Sequence, residues 1–287
     1  MERRRVTCLL WVNPSPILVP PVNHVPSLRS FDFVNEDAVA EDCDGHGTHV
    51  ASTAVGRSVG IAKQANVIGV RVLDCEGSGN ISTTVAGLDW VAANYEKPAV
   101  VALSLGVSVG RWSQSLEDSV TTLINDHDIA VVVASGNSAV DSCFIAPANV
   151  PETITVAASD LETKFDGTQE TDVETVYRWS NTGKCVDIFA PGVDIYAACG
   201  GAHRCEELSD NAYAWASGTS MAVPHVAGVA ALYLGDFPRM RPSELKSELI
   251  TKSTRDKIGG SLLREETPNR LLYSRGMESI VRATEGP

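Results

Sequence analysis

Ser217-Gly218-Thr219-Ser220-Met221-Ala222-Val223-Pro224-His225-Val226-Ala227-Gly228 is the stretch on which the reading of this chain turns. From Met221 to Leu234 the residues are Ala, Val and Leu nearly all round, which predicts a helix buried on every side. Pro224 is tolerable close to its start, because a first-turn N–H has no intrahelical partner to lose. Ser220 then stands where a turn enters a buried helix, and the N–H groups of that helix end favour developing negative charge. A serine hydroxyl is a weak nucleophile until a base removes its proton. Taken alone, however, a serine in Gly-Thr-Ser-Met-Ala reads as a helix cap.

Working outward, Asn66–Leu73, Ala99–Leu105, Ile129–Ala134, Thr153–Ala158 and Val186–Phe189 are short, mostly apolar runs that read as strands. Between the first three lie Ser82–Tyr95, with Ser82 as its predicted N-cap, and Ser115–His127, where Leu116, Val120, Leu123 and Ile124 share one helix face. Continuous apolar strands separated by helices indicate a parallel sheet covered on both faces. A last helix is expected at Ser243–Ser253, and the acidic stretch from Asp160 to Thr175 reads as an irregular surface insertion. Five prolines between Pro14 and Pro26 argue against regular structure there, although Thr7–Val12 has the composition of one strand.

Two further stretches complete a pattern. Asp44-Gly45-His46-Gly47-Thr48-His49-Val50-Ala51 opens a helix on a glycine-flanked histidine, and Ala134-Ser135-Gly136-Asn137 closes an apolar strand. Singly, Asn137 reads as a turn former, and His46 with His49 as a histidine pair lacking a third metal ligand. Together and in this order, the three stretches resemble the subtilisin-like serine proteases, in wording closest to the proteinase K branch. The resemblance covers about 42–273, leaving 1–41 as an irregular N-terminal segment and 274–287 as a polar tail.

That resemblance implies an α/β, subtilisin-like three-layer fold, with a mostly parallel central sheet flanked by helices. It implies a serine endopeptidase in which His46 is general base and acid, Ser220 the nucleophile and Asn137 the oxyanion donor. An extended polypeptide substrate would add as a strand between Ser104-Leu105-Gly106 and Ala134-Ser135-Gly136, with Gly77 and Gly79 in the outer wall. Two positions depart from the family pattern: Val107 replaces a second glycine beside the specificity pocket, and Ser52 stands where glycine is usual. A lipase-like hydrolase is disfavoured, because Ser220 lacks a Gly-x-Ser-x-Gly elbow.

The seven cysteines are compatible with buried thiols or with disulfides, and they show no CxxC spacing of a zinc site. The resemblance implies the pairs Cys43–Cys75 and Cys143–Cys185. It leaves Cys199 and Cys205 near enough in sequence to close a small loop, with Cys8 left over. These pairs imply an oxidising, extracellular setting. The resemblance also implies a structural Ca²⁺ held by the carbonyls of Pro151 and Thr153 and the carboxylate of Asp187, against the plainer reading of Asp187 as a strand-edge carboxylate. No cofactor is required for the chemistry.

One part of the pattern is missing. The family places Asp-Thr-Gly or Asp-Ser-Gly some thirty residues before the histidine, and no such tripeptide precedes His46. Asp32, Asp37, Asp42 and Asp44 are too close in sequence. Asn13, at 46 − 13 = 33 residues upstream, is the candidate for the acid's place. Replacing that acid by Asn costs about 10⁴ in turnover in another serine protease, so the chain as written is expected to be slow. Either the N-terminal segment is a truncated or misassembled version of an active enzyme, or the protein is a pseudoprotease that keeps a peptide-binding groove.

The formal net charge of −13 makes nucleic acid a poor partner. No apolar run approaches the length of a membrane span. Met1–Arg5 and Val6–Val12 imitate a signal peptide, but the run is short and no small-x-small site follows, so the case for secretion is indirect. The protein is expected to be a monomer.

Overall fold

A computed structural model describes residues 9–13, 30–110, 113–165, 168–200 and 212–274. In chain order the first elements are β1 (Leu9–Asn13), β2 (Phe31–Asp32), α1 (His46–Val55), β3 (Asn66–Arg71), α2 (Ile81–Asn94) and β4 (Val100–Leu103). Then come β5 (Val107–Ser108), α3 (Gln114–Asn125), β6 (Ala130–Ala134), β7 (Ile145–Ala146), β8 (Ile154–Phe165), β9 (Glu170–Val176) and β10 (Ile188–Pro191). The chain continues through β11 (Ile195–Ala198), β12 (Tyr213–Ala216), α4 (Thr219–Asp236), α5 (Pro242–Lys252), β13 (Thr254–Arg255) and β14 (Arg270–Leu271).

The sheet runs β13-β14-β10-β8-β6-β4-β1-β3-β2, with β9 as an arm on β8. Pairings β2–β3, β4–β6, β6–β8, β8–β10 and β10–β14 are parallel. Strands β4 and β6 are buried at every position, because helices cover both faces. On one face α1, α4 and α5 pack over Val100, Val132, Val156 and Ile188. On the other, α2 and α3 bury Leu88, Leu116, Val120 and Leu123 against Val101, Val131 and Val133. Each such aliphatic side chain removed from water stabilises the fold by about 1.5–3 kcal/mol.

Three expectations need correction, and the direction of one strand is a new finding. Asn80, rather than Ser82, caps α2: its Oδ1 accepts the Thr83 amide at 2.8 Å. The acidic stretch after Asp160 is a regular antiparallel hairpin, registered from Ser159↔Val176 to Phe165↔Glu170. Its outer part is exposed, so charge there costs nothing and alternation is weak. The sheet also takes in residues before 42. Strand β2 pairs with β3, and the wholly buried Asp32 carboxylate meets Arg71 Nη1 at 2.8 Å and accepts the amides of Val34 and Asn35. Finally, β1 lies inside the sheet but runs antiparallel to both neighbours.

Candidate active site

The site is assembled at the C-terminal ends of the parallel strands, where open α/β sheets place their ligands. Gly218 enters α4 with φ 150°. The first-turn amides divide their partners. Thr219 donates its N–H to Asn137 Oδ1 at 2.8 Å and its hydroxyl to the same oxygen at 3.1 Å, while Met221 donates to the Gly218 carbonyl. With Oδ1 fixed as a double acceptor, the amide orientation of Asn137 is settled and its Nδ2 is the end left to donate. The Ser220 amide is not used by any hydrogen bond among the described residues. Asn137 Nδ2 and the Ser220 N–H are therefore two donors to which the described residues give no acceptor.

Ser220 is tied to β4 in both directions. Its hydroxyl donates to the Ser104 carbonyl at 3.3 Å, and the Ser104 hydroxyl donates to the Ser220 carbonyl at 2.9 Å. Asn137 follows β6 on a loop that Asn181 holds. The wholly buried Asn181 donates Nδ2 to the Ser135 carbonyl at 2.8 Å and accepts the amides of Ser138 and Val140 at 3.0 Å each. Gly136 has φ 105°, and a Cβ there would collide with that amide. The sequence reading gave no role to Asn181 or Thr219, the residues that hold this loop and the Asn137 amide. Ser180-Asn181-Thr182-Gly183 looks like an ordinary turn, and only the fold reveals its partner.

His46 begins α1 after Gly45, which takes the left-handed conformation at φ 102°. The turn is built by carboxylates. Asp42 accepts the Gly45 amide at 2.7 Å and both the amide and the hydroxyl of Thr48, and Asp44 accepts the His46 amide at 3.1 Å. Burial pushes the Asp42 carboxyl above its ordinary range, against the pull of the Gly45 and Thr48 hydrogen bonds. The α1 and α4 axes lie close: Ala54 O is 3.0 Å from where a Gly228 Cβ would sit. His49 Nε2 lies 3.0 Å from the Ile195 carbonyl and 3.2 Å from that of Ala214, so it carries a proton and donates rather than binding metal. It thus pins α1 to the β11–β12 hairpin that leads directly to Ser217. Ser52 has its own task, accepting the Ala198 amide at 3.0 Å.

The outer wall is clamped to the histidine turn. Cys43 and Cys75 form a disulfide, and a Cβ on Gly77 would lie 3.6 Å from the Asp44 carboxylate. Gly77 has φ 74°, and Gly79 leaves no room for a side chain against the Val72 carbonyl. Cys143 and Cys185 form the second expected pair. Cys199 is also disulfide-bonded, while Cys8 and Cys205 lie outside the described residues. Leu105 and Gly106 lead into β5, which pairs with β7, and Val107 packs half-buried against the core beneath.

Two candidates are not brought into this arrangement. Asn13 pairs with Asn66, the first residue of β3, and its neighbour Val12 pairs with Val100, the first of β4. Ser104 lies four residues beyond Val100, about 13 Å along the strand. Asn13 is thus at the wrong edge of the sheet, because β1 is reversed. The expected calcium ligands do converge, but on a lysine. Lys246 Nζ is 2.8 Å from Pro151 O, 2.6 Å from Thr153 O and 2.8 Å from Asp187 Oδ2. An ammonium centred on these oxygens occupies the place of a cation, so the set as it stands does not fit Ca²⁺. Among the described residues no three His, Cys, Asp or Glu side chains form a metal cluster.

The sheet thus carries Ser220 at the start of α4, His46 at the start of α1 and Asn137 on the turn after β6. The subtilase family profile matches residues 24–271. The chain is 41% identical over 248 residues to alkaline serine exoprotease A of Vibrio alginolyticus, covering 86% of this chain and 41% of that protein. It is 42% identical over 246 residues to an extracellular serine proteinase of Thermus sp. strain Rt41A, covering 86% and 54%. It is also 36% identical over 263 residues to rat proprotein convertase subtilisin/kexin type 9, covering 89% and 35%. The crystal structure of a cold-adapted subtilisin-like serine proteinase superposes with a TM-score of 0.73 at 39% identity, covering 87% of this chain and 81% of that one. The chain belongs to the subtilase family, whose catalysis needs no cofactor. It spans about half the length, or less, of these curated relatives.

Proposed function

We propose that this chain is a serine endopeptidase domain that hydrolyses extended polypeptides through an acyl-enzyme. The observation that carries the reading is the locked Asn137. Its oxygen is held by Thr219, the residue before Ser220, which leaves its nitrogen as the end that can donate at the start of α4. The Ser220 hydroxyl attacks the scissile carbonyl, His46 takes its proton and returns it to the leaving amine, and the two donors hold the oxyanion. The peptide lies between 104–106 and 134–136, with Gly77 and Gly79 opposite. The partner is a polypeptide, taken up by a monomer, in an oxidising extracellular setting consistent with the disulfides.

Turnover in the chain as written is slow. Asp32 is committed to Arg71 and Asp42 to the Gly45 and Thr48 amides, and Asn13 lies at the opposite sheet edge. The same observation favours a second reading, a groove that binds peptide without cleaving it. A fluorophosphonate separates the two: labelling at Ser220, abolished in Ser220→Ala, is expected of the protease. Folded protein that takes no label but binds peptide equally well in both forms would establish the binding module instead.

A further inference from the structure

Helix α5 starts at Pro242, buries Leu245 and Leu249 against the core, and so turns the next side chain, Lys246, along the sheet toward the loop before β8. Its ammonium has three N–H bonds to place and three oxygens around it: Pro151 O, Thr153 O and Asp187 Oδ2, all within 2.8 Å. The lysine and aspartate side chains are only 19% and 17% exposed, which removes most of the screening an open pair would suffer. Asp187 Oδ2 also accepts the Thr155 amide at 2.9 Å, so the carboxylate joins the entry of β8 to the entry of β10. Two backbone carbonyls and one carboxylate aimed at a single point are the donor set of a hard cation. Here the point carries a nitrogen.

We propose that the Lys246 ammonium is a tethered replacement for a divalent cation, so that the loop 151–153 is held to β10 without a metal. A free ion must be bound from solution, and its contribution rises and falls with its concentration. An ammonium fixed to α5 is present at constant effective concentration and cannot be chelated. It also locks α5 to the loop, a connection that a small ion held by these three groups would not make. Removing the ammonium leaves two carbonyls and a carboxylate around a vacated volume, and that volume is a site for Ca²⁺ rather than for Mg²⁺, which demands a smaller octahedral shell.

The test compares thermal unfolding of the whole chain and of Lys246→Ala in millimolar CaCl₂ and in excess chelator, and so does not depend on protease activity. In chelator, Lys246→Ala is expected to melt at least about 5 °C below wild type, because a buried carboxylate has lost its partner. Calcium should restore part of that loss and should raise the variant's midpoint more than wild type's. Equal calcium responses in the two proteins, or an unchanged midpoint in Lys246→Ala, would overturn the proposal. If Lys246→Ala cannot be recovered folded, Asp187→Asn/Lys246→Met removes both charges together. Its folding, with no calcium response beyond that of wild type, upholds charge replacement as the role of the lysine, and its failure to fold assigns the lysine to packing and ends the idea.

Discussion

The site has two halves, and they are held in different ways. On the Ser220 side, hydrogen bonds tie the start of α4 to the ends of two strands: Ser220 to Ser104 after β4, and Thr219 to Asn137 on the loop after β6, a loop that Asn181 holds through Ser135, Ser138 and Val140. On the N-terminal side, β1 fills the gap between β3 and β4 but runs against both of them. A sheet accepts either direction, since parallel and antiparallel ladders differ only slightly in energy per residue. Catalysis does not, because it draws its groups from one edge. A strand can therefore complete the hydrogen-bonding of a sheet and still carry its terminal residue to the edge where no chemistry takes place.

The sharpest way to break the comparison is to damage the intact half. Asn137→Leu removes a donor while keeping the size of the side chain, and acylation of Ser220 by a fluorophosphonate or ester substrate should slow by about 10²–10³, as loss of the corresponding donor does in subtilisin. A loss below tenfold would mean that the amide does not face the reacting carbonyl.

The seam between the halves offers a smaller effect, in stability. His225 on α4 has its pKa lowered by burial, against the hydrogen bond between its Nδ1 and the Met221 carbonyl, and His49 adds to the lowering. A histidine with a depressed folded-state pKa is neutral in the fold and takes up its proton on unfolding. Its contribution is complete above the unfolded value near 6.5 and is lost as pH falls from there toward the folded value. Stability should decline below pH 6.5 with a slope of up to about 1.4 kcal/mol per pH unit from this group. His225→Asn should flatten that limb between roughly pH 6.5 and 5. An identical limb in the variant would place the proton uptake elsewhere.

The smallest effect sharpens the contrast most. Asn13→Asp would supply the missing acid if Asn13 stood behind His46, and turnover would then rise by up to about 10⁴. With β1 reversed, the rate should change by less than about twofold. A large gain in a simple peptidase assay would show β1 running parallel to its neighbours in the working protein.

Much of this could be read from the residues. Short apolar runs located β3, β4, β6 and the start of β8 to within a residue or two, because strands buried on both faces carry few polar positions to interrupt them. The hairpin β8–β9 escaped notice for the opposite reason: exposed strands carry charge freely. The helix starts at His46 and Ser220 and the turn at Asn137 were legible from local pattern, while the roles expected of them rest on the three stretches taken together. Asn181 and Lys246 carry no such signature. Asn181 works through residues more than forty positions away, and Lys246 through carbonyls over ninety positions away.

The amino-acid sequence by itself located the main helices and the buried strands and showed which serine and histidine begin a helix, while the two cysteine pairs followed from the family resemblance. Tertiary structure alone decided the direction of β1, the edge to which Asn13 is carried, and the cation that sits among Pro151, Thr153 and Asp187. The physical reason is one of range. Burial periodicity and capping act over a few residues, whereas strand direction and charge pairing are settled by whichever distant groups the closed fold leaves unsatisfied.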